Sequence, residues 1–271
     1  VGTGLGKKAL LYAYYMRCDR NAFSEVQTTS DCVSHGSRNA RDCTRATQIL
    51  IGGDPKAFVS MSATEPTYGA RGHGGEGMVP AKASRFERDK GFVLRKKIGS
   101  TDLTKYNGAL GARWGSAGIP QEVLDECVKS KVGIIRQITT VRDAMDCLVN
   151  GYAIHSGQYA AWEAKPNKQN YHNRARGGWN HDMATVGFDD TKTFWPDTVF
   201  FVAQSWGAWN QLPAWPDDYP PPPPGLIVAT ASDWSVCVED GDAWGYGAVE
   251  GFPPQRLPDY GAIGLLKVDD A

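Results

Sequence analysis

At 271 residues, 41% of them apolar and 22% charged, the chain has the make-up of an ordinary globular protein. Asp and Glu total 30 against 29 Lys and Arg, which excludes the basic footprint of a nucleic-acid binder and any pull toward an anionic membrane. No apolar run nears the roughly eighteen residues of a membrane span, so a transmembrane protein is excluded too. The length can bury a sizeable core without staples, as one large domain or two small lobes. The chain begins at Val1 with no Met and no signal-peptide h-region, which leaves N-terminal processing and an incomplete sequence both open.

The first strong helix follows Cys32. Val33, Gly36, Ala40, Cys43, Thr47 and Leu50 recur at three- and four-residue steps and give one small, fairly apolar face. Ser30 or Asp31 can cap this helix and Gly52–Gly53 can end it. Residues 67–77 are glycine-rich and read as a loop. Residues 120–131 suit a second helix with Pro120 in its first turn, and 133–138 read as a strand. A third helix, 140–149, opens on the box Thr140-x-x-Asp143 and closes near Gly151.

The period then changes. Residues 152–155, 183–188, 198–205 and 226–229 are short β-branched or aromatic runs, which read as strands. Between them lie a polar, basic loop at 164–178 and a stretch at 211–225 containing five consecutive prolines, 220–224. That stretch should run as an exposed polyproline segment. Helices first and strands later argue an α+β fold.

The cysteines are Cys18, Cys32, Cys43, Cys127, Cys147 and Cys237, with no C-x-x-C pair, so neither a zinc ribbon nor another metal site is expected. If Cys32 is a working thiol, an odd number remains and full pairing is impossible. A reducing compartment and a loosely bridged extracellular protein both fit. Cys32 stands at a helix N-terminus, whose free N–H groups stabilise a thiolate. With an imidazolium nearby, such a thiol pKa can fall to about 3–4. Asp31 opposes this unless its side chain is absorbed by capping. Alone, Cys32 reads as a small buried residue. Gln27, five residues upstream, could donate its amide to an oxyanion beside the Cys32 N–H.

Residues 180–188, Asn-His-Asp-Met-Ala-Thr-Val-Gly-Phe, place His181 at the start of an apolar strand, a rigid support for a general base. His35, His73, His155 and His172 fall in a helix, a glycine loop, a strand end and a polar loop, and lack that setting. Residues 201–207, Phe-Val-Ala-Gln-Ser-Trp-Gly, offer the Gln204 amide as acceptor for an imidazole N–H and the Trp206 indole as its cover. Residues 72–77 also match G-x-G-x-x-G, but no strand precedes them and no βαβ unit follows, so dinucleotide binding is discounted.

Taken in order, Gln27, Cys32 at a helix start, a Gly-Gly loop, Asn180-His181 and Ser205-Trp206-Gly207 resemble the papain-like cysteine peptidases. The form is divergent, similar to those of tailed phages and environmental bacteria. The 149 residues from Cys32 to His181 sit within the family's separation of about 130–150. The likeness runs from about Gln27 to Phe252.

The resemblance implies one catalytic domain over 1–271. A helical lobe, about 20–130, would carry the Cys, and an antiparallel β lobe, about 131–260, the His, with a cleft between. It implies a cysteine-type endopeptidase acting on peptide or protein substrates without a cofactor, with Cys32 as nucleophile, His181 as base, Gln204 as its orienter and Gln27 as oxyanion donor. Gly74 and Gly75 would pair with an extended substrate backbone, the Asn180 carbonyl would accept a substrate N–H, and Trp206 would flank the base. Four positions depart from the family. Gln204 replaces Asn, Asp182 replaces a small residue and would make the S2 region acidic, Val33 replaces Trp, and the disulfide cysteines are missing. The alternative is a papain-like fold without turnover, serving as a structural or binding component of a phage particle; the location would be virion-associated or secreted.

Overall fold

The computed structural model describes residues 2–51 and 55–249. Strand β1 (Lys8–Leu10) leads directly into α1 (Leu11–Cys18), and α2 (Cys32–Ile51) begins at the cysteine singled out above. Short helices α3 (Glu65–Gly69) and α4 (Pro80–Asp89) follow, then a small ribbon of β2 (Lys97–Ile98) and β3 (Thr101–Asp102). Helices α5 (Gly108–Ala117) and α6 (Gln121–Cys127) complete the first half. The second half holds β4 (Val132–Gln137), α7 (Val141–Val149), β5 (Ile154–Trp162), β6 (Arg174–Asp189), β7 (Val199–Ala203) and β8 (Ile227–Thr230). Two single-turn helices, α8 (Ala231–Trp234) and α9 (Val236–Glu239), precede β9 (Ala243–Val249).

The expected mixture of helices and antiparallel strands is what forms. The seven-stranded sheet runs β4-β9-β5-β6-β7-β8, and β1 continues the β5 side of β6. The main apolar core lies where α1 and α2 cover this sheet. A second, smaller core joins Ala63, Val93, Leu103, Trp114, Val123 and Cys127 among the short helices.

Helix α2 is amphipathic by its sequence yet buried nearly throughout, from Cys32 to Ile49. Its charged face is not solvated. Arg38 pairs with Glu25, Arg41 with Glu87 of α4, and Arg45 lies 3.4 Å from Asp42. Arg95 reaches across from outside the helix, 2.7 Å from both Glu25 and Glu65. A buried charge is costly unless it is paired or fully hydrogen-bonded, and these carboxylates offset that cost along the helix. The Gly52–Gly53 stop lies outside the described residues, as does Phe252.

The third helix behaves as expected. The Thr140 hydroxyl accepts from the Asp143 N–H at 3.0 Å, and Gly151 adopts φ +85° after the last turn. Other expectations need correction. The second helix ends at Cys127, short of residue 131, and Pro120 is its N-cap. The loop at 164–178 gives way at Arg174 to β6, which pairs with β5 as far as Trp162. The segment 67–77 begins inside α3. The proline stretch is not a free arm: Pro223 is buried, and the Pro220 carbonyl accepts from the Tyr12 hydroxyl and the Trp215 indole N–H, both at 2.9 Å. All six cysteines are free thiols.

Glu25 tests the pairing that supports α2. Burial would raise its pKa, but Arg38 and Arg95 override this and hold it below the usual carboxylate range. Its stabilising contribution is therefore present above pH ~4.5 and lost as pH falls through the lower folded value. Glu25→Gln should cost about 3 kcal/mol in urea denaturation at neutral pH, and the difference from the native chain should shrink in acid.

Candidate active site

Cys32 is the first residue of α2, with only 9% of its surface exposed. The Asp31 carbonyl accepts the first helical bonds, from Ser34 at 3.0 Å and His35 at 3.3 Å. The Asp31 carboxylate takes the Tyr106 hydroxyl at 2.9 Å and lies 3.6 Å from the His35 ring. Its charge is thus absorbed by a phenol rather than by the helix N–H groups that capping would have used. Burial holds His35 below its ordinary pKa.

β6 carries His181 and Asp182 in register with Gln158 and Gly157 of β5. A bulge between Gln158 and Ala160 interrupts the ladder beside them, as often happens where a strand must aim a functional side chain. The backbone N–H of Asp182, one residue beyond His181, and that of Val33 act on the Cys32 thiol and favour its thiolate. The His181 ring stacks on Trp206, with centroids 4.2 Å apart and planes at 22°, and Trp179 lies edge-on to both. No hydrogen bond joins the sulfur to the imidazole, and the buried His181 Nε2 has no partner.

Gln204 makes no hydrogen bond to His181. Its amide donates to the carbonyls of Gly207 at 2.9 Å and Gly225 at 3.4 Å, and its oxygen accepts from the Trp206 N–H. The cause is the chain returning from the proline stretch: Gly225 comes so close that a Cβ there would sit 2.0 Å from the Gly207 carbonyl. The extra methylene lets the amide reach these acceptors.

Asp182 requires a second correction. It does not make the cleft acidic, because it is buried beside Cys32 and does not line the cleft. One oxygen takes the Nδ1–H of His155 at 3.0 Å, and His155 Nε2 faces the Ser84 hydroxyl at 2.8 Å and the Tyr246 hydroxyl at 3.2 Å. The other oxygen has no hydrogen-bond partner and occupies the space left by Gly36, where a Cβ would lie 1.7 Å away. Burial pushes the Asp182 carboxyl up to about 6 despite His155, while Asp182 lifts His155 against its own burial. His155 is the residue that sequence reasoning missed: only strand register brings it to Asp182, and no spacing signals it.

The electrostatics run opposite to a preformed ion pair. Burial, then the Asp182 charge, push the Cys32 thiol up to about 12, against the help of the Asp182 N–H. Burial, then His35, push His181 down to about 3. The resting pair is neutral.

A cleft of about 560 Å³ is lined by Gln27, Gly74, Gly75 and Trp206 among others; it meets the site at Trp206, which stacks on His181, and neither Cys32 nor His181 lines it. Gln27 is fixed by the Ser205 hydroxyl on its oxygen and by donating to the Thr29 carbonyl at 3.0 Å; an amide has two N–H donors, so one remains. Asn180 is exposed on β6 and does not line this cleft. The described residues contain no cluster able to hold a metal ion, and none of their helices is long and apolar enough to cross a membrane.

No family model matches the sequence, and no curated protein does. Solved structures do match the fold. Xylellain, a cysteine protease from Xylella fastidiosa, is 13% identical with a TM-score of 0.51, over 84% of this chain and 88% of that one. The cysteine protease and lectin-like domains of Cwp84 from Clostridium difficile give 18% and 0.54, over 84% of this chain and 49% of that one. The procathepsin B S9 of Trypanosoma congolense gives 10% and 0.54, over 91% and 77%. The chain has a divergent papain-like fold.

The charge on Asp182 should govern the thiol. Asp182→Asn keeps an acceptor for His155 but removes the like charge beside Cys32. Iodoacetamide should alkylate Cys32 about tenfold faster at pH 8, following thiolate fraction; an unchanged rate would show that burial alone holds the proton.

Proposed function

We propose that the protein is a cysteine-type endopeptidase in which Cys32 is the nucleophile and His181 the base. The observation that carries this is the papain-like fold with Cys32 opening α2 and His181 on β6, the strand that packs against α2. The single domain would comprise a helical lobe, about 20–130, and a β lobe, about 131–260, with the cleft as the substrate channel.

In this reading the peptide lies along Gly74 and Gly75. His181 takes the thiol proton as sulfur attacks the carbonyl carbon and the S–C bond forms. The Gln27 amide and a backbone N–H at Cys32 hold the oxyanion. The C–N bond then breaks as His181 returns the proton to the leaving amine, which leaves a thioester. Water, deprotonated by His181, attacks that thioester; the acid departs and the sulfur regains its proton. Stacking on Trp206, rather than an amide, orients the ring.

A second reading keeps the fold without turnover. The unpartnered His181 Nε2 and the diverted Gln204 amide favour it. The protein would then be a binding or structural component, of a phage particle or of another assembly, and would be virion-associated or secreted.

One measurement separates the readings. Cys32→Ala should abolish cleavage of a peptide library that the native chain cleaves, while Cys43→Ala leaves the rate intact; no cleavage by the native chain favours the second reading. Because the resting pair is neutral, kcat/KM should climb through neutral into alkaline pH. A plateau beginning near pH ~4, as for a preformed thiolate–imidazolium pair, would contradict this.

A further inference from the structure

Arg71 follows α3 and is almost fully buried, yet it lines the cleft. Its guanidinium donates to the carbonyls of Gly75 at 3.0 Å, Tyr68 at 3.0 Å, Gly111 at 3.1 Å and Ala112 at 2.6 Å, and lies 4.0 Å over the Tyr68 ring. Gly115 makes room for it: a Cβ there would sit 2.2 Å from the guanidinium carbon. Arginine has five N–H donors and cannot lose its charge. Four donors are used here, and one remains.

What Arg71 lacks is a counter-charge. The other buried arginines of this half, Arg38, Arg41, Arg45 and Arg95, each stand within ion-pair distance of a carboxylate. Among the described residues no acidic side chain does so for Arg71. Glu76 shares the cleft wall but is exposed and beyond that distance. Buried charges are ordinarily paired, and charge held in a cleft with low-dielectric walls focuses its field on whatever enters.

We infer that Arg71 is the specificity-determining residue of this cleft and that the substrate residue lodged between Gln27 and Gly74–Gly75, on the acyl side of the scissile bond, carries a carboxylate. The inference rests on the peptidase reading. Glu76 works against the same carboxylate and moderates the preference. Arg71 also clamps the glycine loop through the Gly75 carbonyl, so its replacement would unsettle the wall itself. The test therefore varies the ligand and Glu76.

Two labelled peptides, identical except for Asp or Asn at that position, would be titrated by fluorescence anisotropy onto Cys32→Ser protein. The Asp peptide should bind about tenfold tighter at low ionic strength, the gap should close toward one in about 0.5 M salt, and Glu76→Gln should widen it. Equal binding of the two peptides, or binding of neither, would overturn the inference. Turnover by the native chain is read separately: a preserved binding preference without cleavage would count against the peptidase reading and leave the acidic preference standing.

Discussion

A twenty-residue helix with four buried arginine and aspartate side chains, Arg38, Arg41, Asp42 and Arg45, runs through the interior rather than over the surface. Such a helix is stable only if every charge finds a partner, since one unpaired buried ion costs several kcal/mol. Glu25, Glu65 and Glu87 arrive from three separate segments, with Arg95 bridging two of them. The paired helix carries Cys32 as its first residue and packs against β6, the strand that bears His181.

The same closeness shapes the site's electrostatics. With Gly36 one turn beyond Cys32, β6 can press Asp182 into the helix surface. The carboxylate then sits beside Cys32, held by His155, and Ser84 and Tyr246 hold His155 in turn. Ser84, His155 and Asp182 have the spacing of a hydrolase triad, but all three are buried away from the cleft. Their effect is structural and electrostatic: they anchor the strand bearing His181 and disfavour a thiolate at Cys32. A helix N-terminus alone argues the other way, and here burial together with a like charge outweighs it.

Much of this was legible in the sequence, and the failures have physical causes. The start of α2, the Thr140 cap and the apolar runs of β6, β7 and β8 are local signals, and they survive folding. Strand β9 carries no β-branched or aromatic run to signal it, because Gly245 and Gly247 interrupt the pattern. Each is glycine because a neighbour crowds it, Cys147 at 2.6 Å and Ile134 at 3.0 Å from a Cβ. The pairing of Asp182 with His155, the diversion of Gln204 and the burial of Arg71 all depend on register or on a returning loop. No spacing along the chain encodes them. The order of Gln27, Cys32 and His181 pointed to the candidate site, while the state of its groups needed three dimensions.

The central claim is that Cys32 is the atom that bonds to substrate, with the Gln27 amide facing the oxygen that becomes charged. A crystal structure of the protein soaked with a peptidyl aldehyde tests this most directly. The account predicts a hemithioacetal on the Cys32 sulfur, its oxygen within hydrogen-bond reach of the Gln27 amide and the peptide extended along Gly74 and Gly75. An unmodified Cys32, or an aldehyde bonded to any other cysteine, would contradict it.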